Sequence, residues 1–280
     1  MNESKGPIQV DAGAVLASKN AKLAKLIPKF VINVLKRLIH QDEINETLRK
    51  TEGLTDVEFI AAVLKDHRID YTVYGAEKLD LNGRYIFAAN HPLGGLDGMI
   101  LLKAIADIFG KVKTVSNDLI SSLEPLKNTF IPVNKYGRQT KESTKRIDDA
   151  YSSDEPMLYF PAGLCSRKTN GVIRDLPWHK NFIKQAIRHK RDIVPVYFVG
   201  KNSNTFYRAA NIRKSLGIGF NYEMLLLPHE MFLQKNATFE LFIGEPISWK
   251  VINSEGDATL WASKIEEICY SLKPKDGTSN

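Results

Sequence analysis

A chain of 280 residues, 43% hydrophobic and 25% charged, is long enough to bury a sizeable core and too apolar to be a largely disordered protein. The two cysteines, Cys165 and Cys269, are far apart and lack metal-ligand spacing, which argues against a disulfide framework and a metal site. The formal net charge is +7, yet aromatic residues do not alternate with basic ones along any predicted strand, so we expect no nucleic-acid partner.

Residues 1–68 are predicted to form an N-terminal helical subdomain that associates with a membrane. Six cations and no acid lie between Ala12 and Gln41, and they account for nearly all of the net charge. In the same stretch apolar residues recur at helical spacing: Leu23, Leu26, Ile27, Phe30, Val31, Val34, Leu35 and Leu38. Such a helix can lie on an anionic membrane or pack on its own domain, and the sequence leaves both open. Pro28 interrupts the pattern and predicts a kink or a new helix start.

Neither a signal peptide nor a membrane-spanning helix is predicted. The first residues lack an apolar core followed by a small-residue cleavage site. No window reaches the roughly 18 unbroken apolar residues that a spanning helix needs. We therefore expect a peripheral protein at the cytoplasmic face of a membrane.

Residues 69–272 are predicted to form an α/β domain, a mostly parallel mixed sheet flanked by helices, followed by a disordered tail at 273–280. Short β-rich runs predict strands at Tyr71–Tyr74, Tyr85–Ala89, Val112–Val115, Phe130–Val133, Met157–Phe160, Ile193–Val199 and Phe239–Ile243. Helical stretches lie between them at Gly98–Ile108, Thr140–Tyr151, Trp178–Arg188 and Ala258–Leu272. In such sheets the ligand-binding and catalytic residues usually lie on loops beyond the carboxyl ends of the strands.

The segment from Asn90 to Asp97 is a candidate site because it directly follows a predicted buried strand. His91 titrates near neutral pH and can take a proton from a hydroxyl, while the carboxylate of Asp97 can hold the imidazole ring in one tautomer. Gly94 and Gly95 allow a tight turn, whose backbone amides could stabilise an oxyanion. Because the segment contains no serine or cysteine nucleophile, direct attack of an acceptor on a thioester is the natural scheme.

These residues resemble the His-x4-Asp signature of the glycerolipid acyltransferases, the family of 1-acylglycerol-3-phosphate O-acyltransferases. Later segments resemble further blocks of that family in the expected order: Phe130–Asn134, Phe160–Gly163 with Ser166 and Arg167, Ile193–Val196, and Gly244–Ile247. The resemblance covers residues 71–247. It implies an O-acyltransferase in which His91 is the general base and Asp97 orients it.

Three departures from the family pattern change the expected acceptor. The aspartate comes one residue late, because Leu96 stands at the family position and Asp97 follows it. Ala162 replaces the acidic residue of the third block, and Cys165 stands where that block has its arginine. In the family these groups handle glycerol phosphate. The variant resembles a hemolysin-related branch that acylates amino-acid lipids, whose acceptor is the 3-hydroxyl of an N-acylated amino acid that bears a carboxylate.

The resemblance implies a lyso amino-acid lipid as acceptor and a fatty acyl thioester, on acyl carrier protein or coenzyme A, as co-substrate, with no cofactor. Two alternatives stay open: a 1-acylglycerol-3-phosphate acyltransferase of phospholipid synthesis, and a non-catalytic protein that binds or perturbs lipid membranes. The predicted substrate-binding residues are Asn90, Gly94, Gly95, Asn134, Lys135, Arg138, Phe160, Pro161, Gly163, Ser166, Arg167, Lys168 and Pro195.

Overall fold

The computed structural model describes residues 10–11, 28–117, 124–133 and 140–274, and its centre is a seven-stranded sheet. The sheet strands are Asp70–Tyr74 (β1), Tyr85–Ala89 (β2), Lys113–Asn117 (β3), Phe130–Val133 (β4), Met157–Tyr159 (β5), Asp192–Phe198 (β8) and Thr238–Ile243 (β9). They lie in the order β1-β9-β8-β2-β5-β3-β4. All neighbouring strands are parallel except β8 and β9. The predicted α/β class with a mostly parallel mixed sheet is therefore confirmed.

Helices cover both faces of the sheet, and a separate hairpin of Arg167–Thr169 (β6) and Val172–Arg174 (β7) stands beside it. None of the described helices is long and apolar enough to cross a membrane. The helices are Lys29–Leu38 (α1), Gln41–Lys50 (α2), Asp56–Asp66 (α3), Gly95–Phe109 (α4), Lys141–Ser152 (α5), Asn181–His189 (α6), Asn204–Ser215 (α7), Leu227–Leu233 (α8), Trp249–Glu255 (α9) and Ala258–Ser271 (α10).

The central strand β2 is buried on both faces, which suits its unbroken apolar sequence. Because side chains alternate across a strand, Phe87 packs in one core cluster, with Leu101 of α4. Ile86 packs in the cluster on the opposite face, with Phe182 of α6 and Ile265 of α10. The layers are therefore helix, sheet and helix.

The N-terminal helices differ in how far they join this core. Helix α1 begins at Lys29, directly after Pro28, so the predicted new start is the one that forms. No residue of α1 is buried. Helix α3, in contrast, buries Phe59, Ile60 and Val63 in the same cluster as the sheet.

One predicted helix boundary is wrong, and several elements were not predicted. The helix predicted from Gly98 begins three residues earlier, at Gly95, because Gly94 adopts a positive φ of 87° and ends the turn. Asp97 therefore lies inside the first helical turn. The hairpin β6–β7 and helices α8 and α9 were not predicted because their segments are short. Helix α7 was not predicted either, because its apolar residues show little helical periodicity.

Parallel pairing brings the segments that follow three strands to the same end of the sheet, the end where the carboxyl termini of these strands lie. Strand β2 pairs with β5 on one side and with β8 on the other, both in parallel. Strand β2 is followed by Asn90 and His91, β5 by Phe160 and β8 by Val199. Segments that lie far apart in sequence therefore meet around His91.

Candidate active site

Asn90 fixes the chain where β2 ends. Its side-chain amide donates to the carbonyl of Phe198 at 3.0 Å, and its side-chain oxygen accepts the N–H of Phe198 at 2.7 Å. Asn90 is buried. This reciprocal pair joins the ends of β2 and β8, so Asn90, predicted to bind substrate, sets the direction in which the next residue, His91, leaves the sheet.

The turn after His91 depends on Gly94. Its φ of 87° and ψ of −111° lie outside the regions that other residues adopt readily. A Cβ there would lie 2.8 Å from Cδ1 of Leu227 and 3.0 Å from Sγ of Cys165. Gly95 has no such constraint, because a Cβ at that position would meet nothing within 4 Å. Of these two glycines, only Gly94 lies so close to neighbouring side chains that a Cβ would not fit.

His91 and Asp97 are in contact despite the extra residue between them. Nδ1 of His91 lies 3.1 Å from Oδ1 and 3.2 Å from Oδ2 of Asp97. The Asp97 carboxylate is fully buried and also accepts the N–H groups of Leu93 and Gly98, each at 2.8 Å. The carboxylate thus folds back over the turn, and the bond to Leu93 holds the longer loop closed.

The imidazole of His91 is held on its face as well as at Nδ1. Its ring stacks on Phe160 at the end of β5, with centroids 4.0 Å apart and planes 26° apart. Nε2 has no hydrogen-bond partner among the residues that the structure describes, and the side chain is 17% exposed. With Nδ1 occupied by Asp97, Nε2 is the nitrogen left for a reacting group.

A second carboxylate, Asp175, holds the backbone of His91. Both of its oxygens lie 3.2 Å from the His91 backbone nitrogen. One of them also accepts the hydroxyl of Ser166 at 2.5 Å, and the other accepts the indole N–H of Trp178 at 3.1 Å. Ser166 closes the loop, because its N–H donates to the His91 carbonyl at 2.8 Å. Burial raises the pKa of Asp175 above its ordinary value, and the hydrogen bond from Ser166 opposes the rise.

No sequence pattern points to Asp175, because the backbone amide that it holds lies 84 residues away. The acid follows a short hairpin and belongs to no recognised motif. Asp175 nonetheless joins the predicted third block to the histidine, since Ser166 and His91 share its carboxylate.

The electrostatic setting raises the pKa of His91 above its usual value. Burial by itself lowers this pKa, because it disfavours the charged ring. The charge and hydrogen bond of Asp97, with a further contribution from the charge of Asp175, outweigh burial. Arg167 lies close enough to act in the opposite direction.

Arg167 belongs to a buried ion cluster beside the site. Its Nη2 lies 2.9 Å from Glu223, whose other oxygen lies 2.9 Å from Nε of Arg213. Arg167 also donates to the carbonyl of Cys165 at 2.6 Å. Since two guanidinium groups share one fully buried carboxylate, the cluster has an excess of positive charge. Lys168, by contrast, points to the side chain of Asn204 at 3.1 Å.

The remaining predicted residues fall into three groups. Pro161 is buried and accepts the N–H of His179 at 3.1 Å, while Gly163 occupies an exposed turn with a φ of 66°. Pro195 is buried within β8, where it pairs with Ala88 of β2. The last group, which includes the end of the predicted second block, lies outside the described residues: Asn134, Lys135 and Arg138.

Cys165 is fully buried. Burial raises the pKa of its thiol, so the reactive thiolate is disfavoured.

A family model described as acyltransferase matches residues 14–274 of this chain. The chain belongs to the acyltransferase family. It is 43% identical over 264 residues to a lyso-glycine lipid O-acyltransferase of Bacteroides thetaiotaomicron, across 94% of this chain and 97% of that protein. It is 39% identical to a lyso-glycine lipid O-acyltransferase of Phocaeicola vulgatus, across 94% and 95%.

Among solved structures, the lysophosphatidic acid acyltransferase PlsC from Thermotoga maritima matches 89% of this chain and 99% of its own, with 14% identity and a TM-score of 0.46. The predicted family and the prediction that the protein is an acyltransferase are confirmed by the family match and the two curated relatives. The alternative of a protein without catalysis is not supported.

Proposed function

We propose that this acyltransferase moves a fatty acyl group from a thioester to the hydroxyl of a lyso-glycine lipid, with His91 as the general base and Asp97 orienting it. The similarity to two lyso-glycine lipid O-acyltransferases over nearly the whole chain supports the acceptor. The contact between Nδ1 of His91 and Asp97 is the single observation that carries the mechanism. The thioester is on acyl carrier protein or coenzyme A.

The proposed reaction needs one proton acceptor at the attacking oxygen. Nε2 of His91 takes the proton of the acceptor hydroxyl as the oxygen attacks the thioester carbonyl. The resulting tetrahedral intermediate expels the thiolate, which takes the proton back from the imidazolium. The products are an ester and a free thiol. Asp97 stabilises the imidazolium formed between these steps, as a carboxylate does in a catalytic triad.

The ion cluster of Arg167, Arg213 and Glu223 beside the site suits an acceptor that bears a carboxylate. Its two guanidinium groups share one carboxylate, that of Glu223, so the cluster itself has an excess of positive charge. An N-acylated glycine carries its carboxylate on the same molecule as the reacting hydroxyl. We therefore propose that Arg167 attracts this carboxylate and helps to orient the acceptor.

Helix α1 supports a peripheral membrane location for this reaction. Its residues Phe30, Val31 and Val34 are 69%, 40% and 60% exposed. In the described structure these apolar side chains do not pack into the core, so the membrane-facing alternative for this helix is the one we propose. Lys36 and Arg37 in its last turn suit anionic head groups.

Acyl transfer by the purified full-length protein tests the proposed activity. Labelled acyl carrier protein and coenzyme A thioesters are supplied in parallel, each with lyso-glycine lipid and with lysophosphatidic acid as acceptor. We expect the labelled ester to form on lyso-glycine lipid with one or both donors. Transfer to lysophosphatidic acid alone would overturn the proposed acceptor.

A pair of histidine variants tests the proposed base. His91→Ala should lower turnover by about 10²-fold to 10⁴-fold, which is the usual contribution of general base catalysis. Binding of the lyso lipid should persist. His179→Ala is the matched control, because His179 is exposed and its structural contact is a backbone bond to Pro161. Equal activity of the two variants would remove His91 from the mechanism.

A further inference from the structure

Residues 204–225 present an unusual set of exposed apolar side chains. They comprise α7, the turn after it and most of a short 3-10 helix at Tyr222–Leu226. Ile212, Leu216 and Phe220 are 53%, 67% and 67% exposed, and Ile218 and Leu225 are 39% exposed. Exposed large apolar residues are ordinary when they occur singly, but five within 14 positions form a surface that favours contact with another apolar phase.

The exposed charges on the same stretch are all positive. Arg208 and Lys214 are exposed, and Arg213 lies between them in intermediate burial. The only acid of residues 204–225 is Glu223, which is fully buried between Arg167 and Arg213. The exposed surface of this stretch therefore carries cations and apolar groups with no negative side chain, which complements an anionic lipid head-group layer.

The inner side of this stretch forms part of the wall of the active site. Phe206 and Tyr207 of α7 are buried in a cluster with Cys165. Leu227, which starts the next helix, packs on that cluster and lies against Gly94 in the turn after His91. One face of the stretch thus packs on Cys165, beside the turn that follows His91, while the other is exposed.

We propose that residues 204–225 form a second contact with an anionic bilayer and bring the opening of the site to the lipid surface. The inference rests on the proposed lipid acceptor, which must reach His91 from a bilayer. The stretch leads into α8, where His229 lies 2.9 Å from His40 and Phe232 stacks on the same ring at 4.2 Å. His40 joins α1 to α2, so α8 links the proposed second contact to the end of the amphipathic helix.

A bilayer fits this surface better than the other two possible occupants. An acidic carrier protein would complement the cations but would not need five exposed large apolar side chains. A second copy of the chain, paired about a two-fold axis, would set like charges such as Lys214 against each other. A bilayer complements both the cations and the apolar side chains, because anionic head groups bind the cations and the acyl boundary accepts the apolar groups.

Vesicle sedimentation with matched variants tests the second contact. Leu216→Ser removes an apolar group. Its control is Leu81→Ser, because Leu81 is 66% exposed and precedes β2, at the opposite end of that strand from His91. Lys214→Glu reverses a charge, and Lys190→Glu is its control at the exposed end of α6, just before β8. The probes are vesicles of phosphatidylglycerol mixed with phosphatidylcholine, and vesicles of phosphatidylcholine alone.

On the anionic vesicles we expect Leu216→Ser to weaken partitioning about tenfold and Lys214→Glu at least about fivefold, while both controls bind like the wild type. Added salt should erase the effect of Lys214→Glu. Thermal melting confirms that each variant is folded. Unchanged partitioning of both test variants would overturn the proposal, as would losses matched by the controls. Weaker binding of acyl carrier protein with unchanged vesicle binding would assign the surface to that partner instead.

Turnover separates this proposal from the proposed activity. With a short-chain acceptor that is dispersed in solution, Leu216→Ser and Lys214→Glu should keep wild-type rates, whereas rates on vesicle-borne acceptor should fall with partitioning. If the wild type transferred no acyl group to either acceptor, the proposed function would fail. Vesicle binding would still be measured, because sedimentation requires no turnover.

Discussion

The carboxylate of Asp175 faces the backbone nitrogen of His91 with both oxygens at 3.2 Å. This contact holds the main chain of the histidine, while Asp97 holds its ring. The two carboxylates therefore fix His91 from two directions. Both also raise its pKa, so Asp175 acts on the proposed base through position and through charge.

Asp175→Asn should shift the pH profile of acyl transfer without abolishing activity. The neutral amide can still accept the His91 N–H, and its NH2 group can face the Ser166 hydroxyl, which rotates to accept. Removing the negative charge lowers the pKa of His91. Because a general base works only when it is neutral, the acid limb of kcat/KM should move to lower pH. A pH–rate profile on a soluble acceptor measures the shift.

Glu266→Gln is the control for Asp175→Asn. Glu266 accepts the backbone N–H of Trp178 at 3.2 Å and pairs with Arg174, so it supports the same loop without touching His91. Its variant should leave the acid limb in place. An identical limb in Asp175→Asn and wild type would show that Asp175 has only a structural role.

Asp97→Asn should cost far more activity than Asp175→Asn. An amide at this position can present its NH2 group to Nδ1, which favours the tautomer with the proton on Nε2 and removes the base. We expect kcat to fall by at least about 10²-fold. Steady-state kinetics with saturating acceptor measure this, and far-ultraviolet circular dichroism checks the fold. A kcat within a few fold of wild type would refute the orienting role.

The reaction class and the sheet could be predicted because they depend on local patterns. The apolar run of β2 and the polar residues that follow it are contiguous in sequence, and the later blocks follow in order. The contact of His91 with Asp97 is also local, spanning six residues. An aspartate placed one residue late still reaches the ring, because Gly94 takes a positive φ.

The rest could not be predicted because it depends on tertiary pairing. Asp175 meets His91 across 84 residues, and Glu223 meets Arg167 across 56. The polar side chain of Asn90 suits a substrate-binding residue, yet its amide group is hydrogen-bonded to the backbone of Phe198 in a neighbouring strand. Periodicity cannot distinguish a polar side chain that faces substrate from one that faces a strand end.

Gly94→Ala should destabilise the fold, whereas Gly95→Ala should not. The alanine Cβ at position 94 would lie too close to Leu227 and Cys165, at a φ of 87° that strains any side chain. We expect a loss of about 1–3 kcal/mol in the free energy of unfolding. At position 95 the Cβ meets open space within a helix, where alanine is favoured. Urea unfolding of both variants gives the comparison, and equal midpoints would contradict the assigned constraint.

Glu223→Gln should be more destabilising than Glu230→Gln, although both carboxylates are buried. Glu223 is the carboxylate that pairs with both Arg167 and Arg213, and its loss leaves these cations without that counter-charge, which costs about 3–5 kcal/mol. Glu230 accepts two hydrogen bonds from Ser203, both at 2.6 Å, so its replacement costs about 1–3 kcal/mol. Chemical unfolding ranks the two variants. If Glu230→Gln unfolded first, Glu223 would not be the counter-charge that holds Arg167 beside the site.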